Sequence, residues 1–290
     1  MSRTCCPDEQ GRVSVDGVQT FYELYERDGP TLLLMPPVAF SHSRLWKLQV
    51  PYLSRHFRLL TFDGRGNGKS DRPSDPAAYA AEQFVADALA VMDHTATGEA
   101  IVAVLGPRSI SGVRLAVENP TRVAGLALLA PDLLTEREFI DAWRAGPDAP
   151  HTAFGAFNPY LMRSDWPRFL EEWSRVMFPH PHSSRQIEDM IAYGLETDGE
   201  TFIASTIGNR YPSREQVHDL GSRLRCPCVV TQWGVPMWPA RTSEQFAHAA
   251  GAPLVIFGPA RFFTLRQSPR RAGLLRGRRE AASLLSLLEH

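Results

Sequence analysis

The chain has 290 residues, of which 43% are hydrophobic and 22% are charged, and its formal net charge is −1. This is an ordinary composition for a soluble globular protein, and the near-zero charge gives no support to binding of nucleic acid or of an acidic membrane surface. Because the N-terminal residues MSRTCCPDEQ lack the apolar core of a signal peptide, and no apolar run approaches the roughly 20 residues of a membrane span, we expect a cytoplasmic protein.

The predicted elements alternate short apolar runs with amphipathic stretches, the pattern of a mostly parallel sheet covered by helices. The first two strands, in residues 11–17 and 18–29, alternate polar and apolar side chains as a hairpin at a sheet edge does. Uninterrupted apolar runs predict the buried strands TLLLMPP, FRLLTFD, AIVAVLG, VAGLALLAP, CPCVVTQW and APLVIFG. Helices are predicted over SRLWKLQVPYL, AEQFVADALAVMDH, GVRLAVEN and, near the end of the chain, REAASLLSLLEH.

Residues 133–212 break this alternation. They contain the helix-like pieces TEREFIDAWRA, WPRFLEEWSRVMF and SRQIEDMIAYGLE, rich in tryptophan and phenylalanine, and no convincing buried strand. We interpret them as a helical cap inserted after the sixth strand. The core would then consist of residues 1–132 and 213–290.

The four cysteines of the chain are the residues that could suggest a metal site. Cys5 and Cys6 lie near the N-terminus, whereas Cys226 and Cys228 alternate along a predicted strand. Because these two cysteines have no matching pair of histidines, the sequence gives little support to a metal site, and we expect their side chains to pack within the strand. The sequence predicts no metal and no cofactor.

The segment FDGRGNGKSDRP, residues 62–73, follows the predicted fourth strand. It resembles the Asp-x-Arg-Gly-x-Gly-x-Ser loop of α/β-hydrolase-fold proteins, and ENPTRVAGLALLAP and CPCVVTQWG resemble that family's sixth- and seventh-strand segments. The resemblance covers residues 11–288 and implies an α/β-hydrolase fold: a central, mostly parallel, eight-stranded sheet flanked by helices, with a helical cap. Within the loop we predict a structural pair between Asp63 and Arg65.

The family's nucleophile lies on a sharp turn between a strand and a helix, the elbow, which reads Gly-x-Ser-x-Gly. The corresponding stretch, residues 103–112, is AVLGPRSISG. The resemblance implies a proline about fourteen residues after the nucleophile, and counting back from Pro120 gives Gly106. Glycine has no side chain to attack with, and the next residue, Pro107, has no N–H to donate to an oxyanion.

The other positions that the resemblance implies are also changed. A second oxyanion donor follows a His-Gly pair in the family, but here Pro36-Pro37 precedes Val38. The stretch WGVPMWP after the seventh strand holds no acid, and Arg261 stands where the base should be. Arginine stays protonated and is no ordinary base at neutral pH.

Three residues are alternative candidates for the catalytic groups that are missing at the expected positions. A shift of three residues would make Ser109 the nucleophile, with Ser111 as the small residue after it; alternatively, both serines cap the helix. His42 is a candidate catalytic or ligand-binding residue or a structural histidine. Asp132 follows the sixth strand, where some family members place their acid, or it caps the next helix.

Aromatic and apolar residues flank the predicted strand ends, where open α/β sheets bind ligands. We therefore predict a pocket for an apolar small molecule. Its predicted lining is Pro37, Val38, Phe40, Gly106, Pro107, Arg108, Trp233, Trp238 and Phe262.

Three functions remain open at this point. The first is a non-hydrolytic enzyme, a cyclase, lyase or isomerase of a large apolar, polyketide-like molecule of secondary metabolism, working with polar groups such as His42 and Arg261. The second is a non-catalytic protein that binds a ligand, a protein partner or a second copy of itself. The third is a hydrolase that uses Ser109.

Overall fold

The computed structural model describes residues 5–37, 40–131, 133, 159–178, 184–209, 212–233, 240–257 and 263–266. Within these residues, nine strands form one sheet in the order β1-β2-β4-β3-β5-β6-β7-β8-β9. The strands are β1 Glu9–Val15, β2 Val18–Tyr25, β3 Thr31–Leu34, β4 Arg58–Phe62, β5 Ala100–Leu105, β6 Val123–Leu129, β7 Cys228–Trp233, β8 Leu254–Phe257 and β9 Phe263–Arg266.

The centre of the sheet is parallel and its edges are antiparallel. Strands β4, β3, β5, β6, β7 and β8 pair in parallel, whereas β1 pairs antiparallel with β2 and β2 with β4. The predicted fold class and edge hairpin are confirmed. The described sheet has one strand more than the eight predicted, because β9 pairs antiparallel with β8.

Nine α-helices lie among the described residues. They are α1 Val50–Leu53, α2 Ala81–His94, α3 Ser109–Glu118, α4 Pro159–Ser164, α5 Trp166–Met177, α6 Ser184–Gly194, α7 Gly199–Gly208, α8 Arg214–Arg223 and α9 Ala240–Ala250. The helix predicted over SRLWKLQVPYL is instead a 3-10 turn, Ser43–Trp46, followed by α1. Pro51 lacks the N–H that a continuous helix would need there, so it is tolerated only in the first turn of α1.

Successive residues of the central strands face opposite sides of the sheet, and both sides are covered. Leu33 belongs to one apolar cluster with residues of α2 and α3, whereas Leu32 and Leu34 belong to a second cluster with Trp46. This two-sided burial explains why the strands read as uninterrupted apolar runs.

The described helices of the predicted cap are α4 to α7, and no strand lies among the described residues of this interval. Phe169, Trp173, Met190 and Phe202 form its apolar cluster together with Phe40 of the core. TEREFIDAWRA and REAASLLSLLEH lie outside the described residues, and the domain boundaries stay a prediction. Among the helices described, none has the length and apolar character needed to cross a membrane.

The cysteines differ in accessibility, which leads to a labelling prediction. Cys226 and Cys228 were predicted to lie on one strand, but β7 begins at Cys228 and Cys226 lies two residues before it. Both pack against the apolar core, and burial raises the pKa of Cys226 to about 11 and that of Cys228 well above its usual value. Cys6 is exposed. At pH 8 we expect iodoacetamide to label Cys6 of the native protein rapidly and to leave Cys226 and Cys228 unlabelled, since about one Cys226 in a thousand is then a thiolate.

Peptide mass spectrometry reads out each site, with urea-unfolded protein as the control in which all four cysteines react. Rapid labelling of Cys226 in the native protein would contradict this packing against the core.

No group of three or more metal-ligating side chains occurs among the residues described.

Candidate functional site

The elbow, the turn after β5, is centred on Gly106. Its φ angle is +67°, in the left-handed region that favours glycine, and the 3-10 turn Gly106–Arg108 leads directly into α3. A β-carbon placed on Gly106 would have no atom of a described residue, beyond its chain neighbours, within 4 Å. The elbow therefore has the sharp backbone of a nucleophile turn, carries no side chain at position 106 and has no described side chain close in front of it.

Pro107 follows at the second position of this turn. In α/β-hydrolase-fold enzymes, the backbone N–H of the residue after the nucleophile donates a hydrogen bond to the oxyanion. Proline has no N–H, so position 107 cannot supply such a donor.

Ser109 and Ser111 lie inside α3 rather than before it. Ser109 has helical angles, φ −55° and ψ −33°, and both hydroxyls are buried without a hydrogen-bond partner among the described residues. The capping prediction is wrong, because the 3-10 turn starts the helix one turn earlier and Arg108 occupies the N-cap position. Ser109 does not have the strained backbone expected of a displaced nucleophile.

Arg108 is buried behind the elbow. Its guanidinium donates to Asn209 Oδ1 at 2.9 Å, to Ser205 Oγ at 2.6 Å and to the Tyr79 carbonyl at 3.3 Å. It also lies 3.7 Å above the centre of the Phe84 ring. These contacts are all with protein groups, and a role in substrate binding stays a prediction.

Phe40 lies against α5 and α7, two helices of the predicted cap. Its ring makes edge contacts with Trp166, Phe169 and Phe202, with centroids 5.1–6.4 Å apart. Phe40 is 1% exposed, so its described contacts are those of a packing residue.

His42 lies buried against residues of the predicted cap. Its Nδ1 accepts from the Arg44 N–H at 3.3 Å, its Nε2 lies 3.4 Å from Glu196 Oε2, and its ring meets Tyr193 edge-on at 4.8 Å. Burial lowers the pKa of His42, while the Asp63 carboxylate, 3.9 Å away, acts to raise it. His42 is thus a neutral, enclosed imidazole at neutral pH, able to act as a base or to hold these residues together.

The predicted pair between Asp63 and Arg65 is wrong. Asp63 accepts from the backbone N–H groups of Ser43 and Lys69, both at 2.9 Å. Arg65 instead forms a two-bonded ion pair with Asp87 of α2, at 2.7 and 2.9 Å, and both side chains are buried. The loop carries two separate structural interactions, because the oxygens of Asp63 are already used by the backbone.

Several predicted site residues lie outside the described residues: Val38, Asp132, Trp238, Arg261 and Phe262. The same holds for the side chain of Trp233, although its backbone ends β7. Pro37 is described and buried just after β3. Sequence reasoning missed four residues that the structure brings to the site region: Asn209, Ser205, Glu196 and Tyr193.

The comparisons with known proteins agree with this architecture. Residues 31–158 match the family model described as alpha/beta hydrolase fold. The enol-lactonase from Burkholderia xenovorans LB400 superposes with a TM-score of 0.69 at 19% identity, covering 97% of this chain and 100% of that protein.

Two curated relatives match part of the sequence. A putative carbamate hydrolase RutD of Stutzerimonas stutzeri is 32% identical over 164 residues, 54% of this chain and 56% of the relative. A probable oxidoreductase EphD of Mycobacterium tuberculosis is 37% identical over 89 residues, 30% of this chain and 15% of the relative. The chain thus spans less than two thirds of either relative. With the sheet order and the family match over residues 31–158 in agreement, the chain has the α/β-hydrolase fold.

Proposed function

We propose that this chain is a non-hydrolytic enzyme on an α/β-hydrolase fold, a cyclase, lyase or isomerase that acts on a large apolar small molecule without a covalent intermediate. The main observation behind the proposal is that the residue at the centre of the elbow, Gly106, is a glycine. Its φ of +67° supports placing the nucleophile position here, and glycine supplies no atom that could attack a carbonyl.

Two further features support the proposal. Pro107 removes a donor that a hydrolase uses to stabilise the tetrahedral oxyanion, a loss that typically costs a rate factor of about 10²–10³. Among the described residues, none except the chain neighbours comes within 4 Å of a β-carbon on Gly106, the position where hydrolases carry a side chain. A substrate held and oriented there would be accelerated in an intramolecular rearrangement.

The named activities of the relatives include hydrolysis and oxidation–reduction, and both names come with partial coverage. We transfer neither to this chain. A second candidate function, non-catalytic ligand binding, is favoured by the same observation, since no described titratable group lies within 4 Å of a β-carbon on Gly106.

Fluorophosphonate labelling tests the proposal. Intact-mass spectrometry after incubation with a reactive fluorophosphonate is expected to show unmodified wild-type protein, because Ser109 is buried and helical and Gly106 has no hydroxyl. An active serine esterase in the same tube controls for the reagent.

A stoichiometric adduct that disappears in Ser109→Ala would overturn the proposal and restore a serine hydrolase. Incubation with a metabolite extract distinguishes an enzyme from a protein that only binds its ligand. A product of unchanged mass that needs the protein supports isomerase or cyclase chemistry, and bound but unaltered ligand supports the second candidate.

A further inference from the structure

A buried arginine connects the elbow to the cap. Arg108 follows Gly106 by two residues, and its side chain is 3% exposed. On the core side it contacts the Tyr79 carbonyl and the Phe84 ring. On the cap side it donates to Ser205, within α7, and to Asn209, just after that helix.

This contact depends on the residue type at position 108. The elbow pattern Gly-x-Ser-x-Gly has glycine two residues after the nucleophile, and glycine has no side chain to reach a cap helix. Arginine offers five N–H donors in a rigid fork and can bond several acceptors at once. In this chain the elbow is thus bonded directly to the cap.

The N-terminal end of α7 has a separate attachment. Arg72 donates to the Glu196 carbonyl at 2.7 Å, and Thr197 Oγ1 donates to the Gly66 carbonyl at 2.8 Å. Glu196 also pairs with Arg44. The helix is therefore bonded to the core at both ends, and Arg108 provides the bonds at its C-terminal end.

We propose that Arg108 is a positioning residue that keeps the C-terminal half of α7 fixed to the elbow, so that the cap and the turn at Gly106 move as one body. The proposal describes how the site of the proposed function keeps its shape. It is tested without substrate, so a fluorophosphonate adduct would overturn the proposed function and leave this proposal standing.

Hydrogen exchange of the ligand-free protein tests the proposal in Arg108→Met and Arg108→Lys. Methionine keeps an apolar side chain on Phe84 and removes the donors, whereas lysine retains one donor group. In Arg108→Met we expect peptides covering residues 203–209 to exchange about tenfold faster, while peptides at residues 196–199 and in β5 and β6 keep their rates. Arg108→Lys should restore part of the protection.

A second readout reports on the elbow itself. Because Arg108 follows Gly106 by two residues, peptides covering residues 106–112 should also exchange faster in Arg108→Met. Replacing a residue that only stabilises the fold in general would instead raise exchange equally in every peptide.

Unchanged exchange at residues 203–209, or an equal rise in every peptide, would overturn the proposal. If Arg108→Met does not fold, the bonds are removed from the cap side with Ser205→Ala and Asn209→Ala, and the same local increase is expected. Ile207→Ala, at an exposed position of the same helix, is the matched control and should leave exchange at the elbow unchanged.

Discussion

Replacing Arg65 with methionine is expected to lower the free energy of unfolding by about 3–5 kcal/mol, the range measured when one partner of a buried ion pair is removed. Arg65 and Asp87 are 1% and 0% exposed, and two hydrogen bonds of 2.7 and 2.9 Å join them. Burial raises the pKa of Asp87, and the Arg65 guanidinium opposes that rise. Without Arg65, the carboxyl group would be buried without its cationic partner.

Urea unfolding followed by circular dichroism measures the change. Arg223→Gln is the control, because its ion pair with Asp219 is exposed and should contribute no more than about 0.5 kcal/mol. The double variant Arg65→Met, Asp87→Leu should be more stable than Arg65→Met alone, since no charge is then left unpaired. If Arg65→Met is as stable as Arg223→Gln, the pair does not hold the loop to α2.

The second large effect is expected from Gly208→Ala. A glycine-to-alanine change inside a helix normally stabilises a protein by about 1 kcal/mol. At Gly208, however, the added β-carbon would overlap the carbonyl oxygen of Pro76 and lie 2.8 Å from Cβ of Tyr79. Because backbone atoms cannot move aside as a flexible side chain can, we expect a destabilisation of about 3 kcal/mol, near the upper end for overpacking.

Thermal unfolding measures the change, and Gly98→Ala, in the loop before β5, is the control for a glycine that has room for a side chain. Gly98 has no described atom within 4 Å of an added β-carbon, beyond its neighbours, so its substitution should have little effect. A stabilised Gly208→Ala would mean that α7 does not rest against the backbone of residues 76–79.

The sheet could be predicted because its central strands are buried on both faces and therefore consist of apolar residues. Apolar runs such as TLLL and AIVAVL are uninterrupted, since both faces of β3 and β5 are covered. Strand β9 was missed although FTLR alternates apolar and polar side chains, because four residues are the shortest run in which this pattern indicates a strand.

The site was predictable at the elbow and less so around it. Gly106 was identified by its distance from Pro120, and its backbone angle agrees. The partner of Arg65 was missed because proximity in sequence favoured Asp63. A signal was present, since Asp87 is a carboxylate on the apolar face of α2, beside Phe84 and Val91, where a charge needs a buried partner. The bonds of Arg108 span 97 and 101 residues, and no local pattern reveals them.

The glycine loop after β4 also supports the cap. Gly66 has φ +87°, its carbonyl accepts from Thr197, and a β-carbon on it would lie 3.0 Å from both Thr201 and Tyr79. The loop therefore contributes to packing, independently of any reaction at the elbow. The presence of DGRGNG in a sequence indicates how this loop is packed and does not by itself indicate hydrolysis.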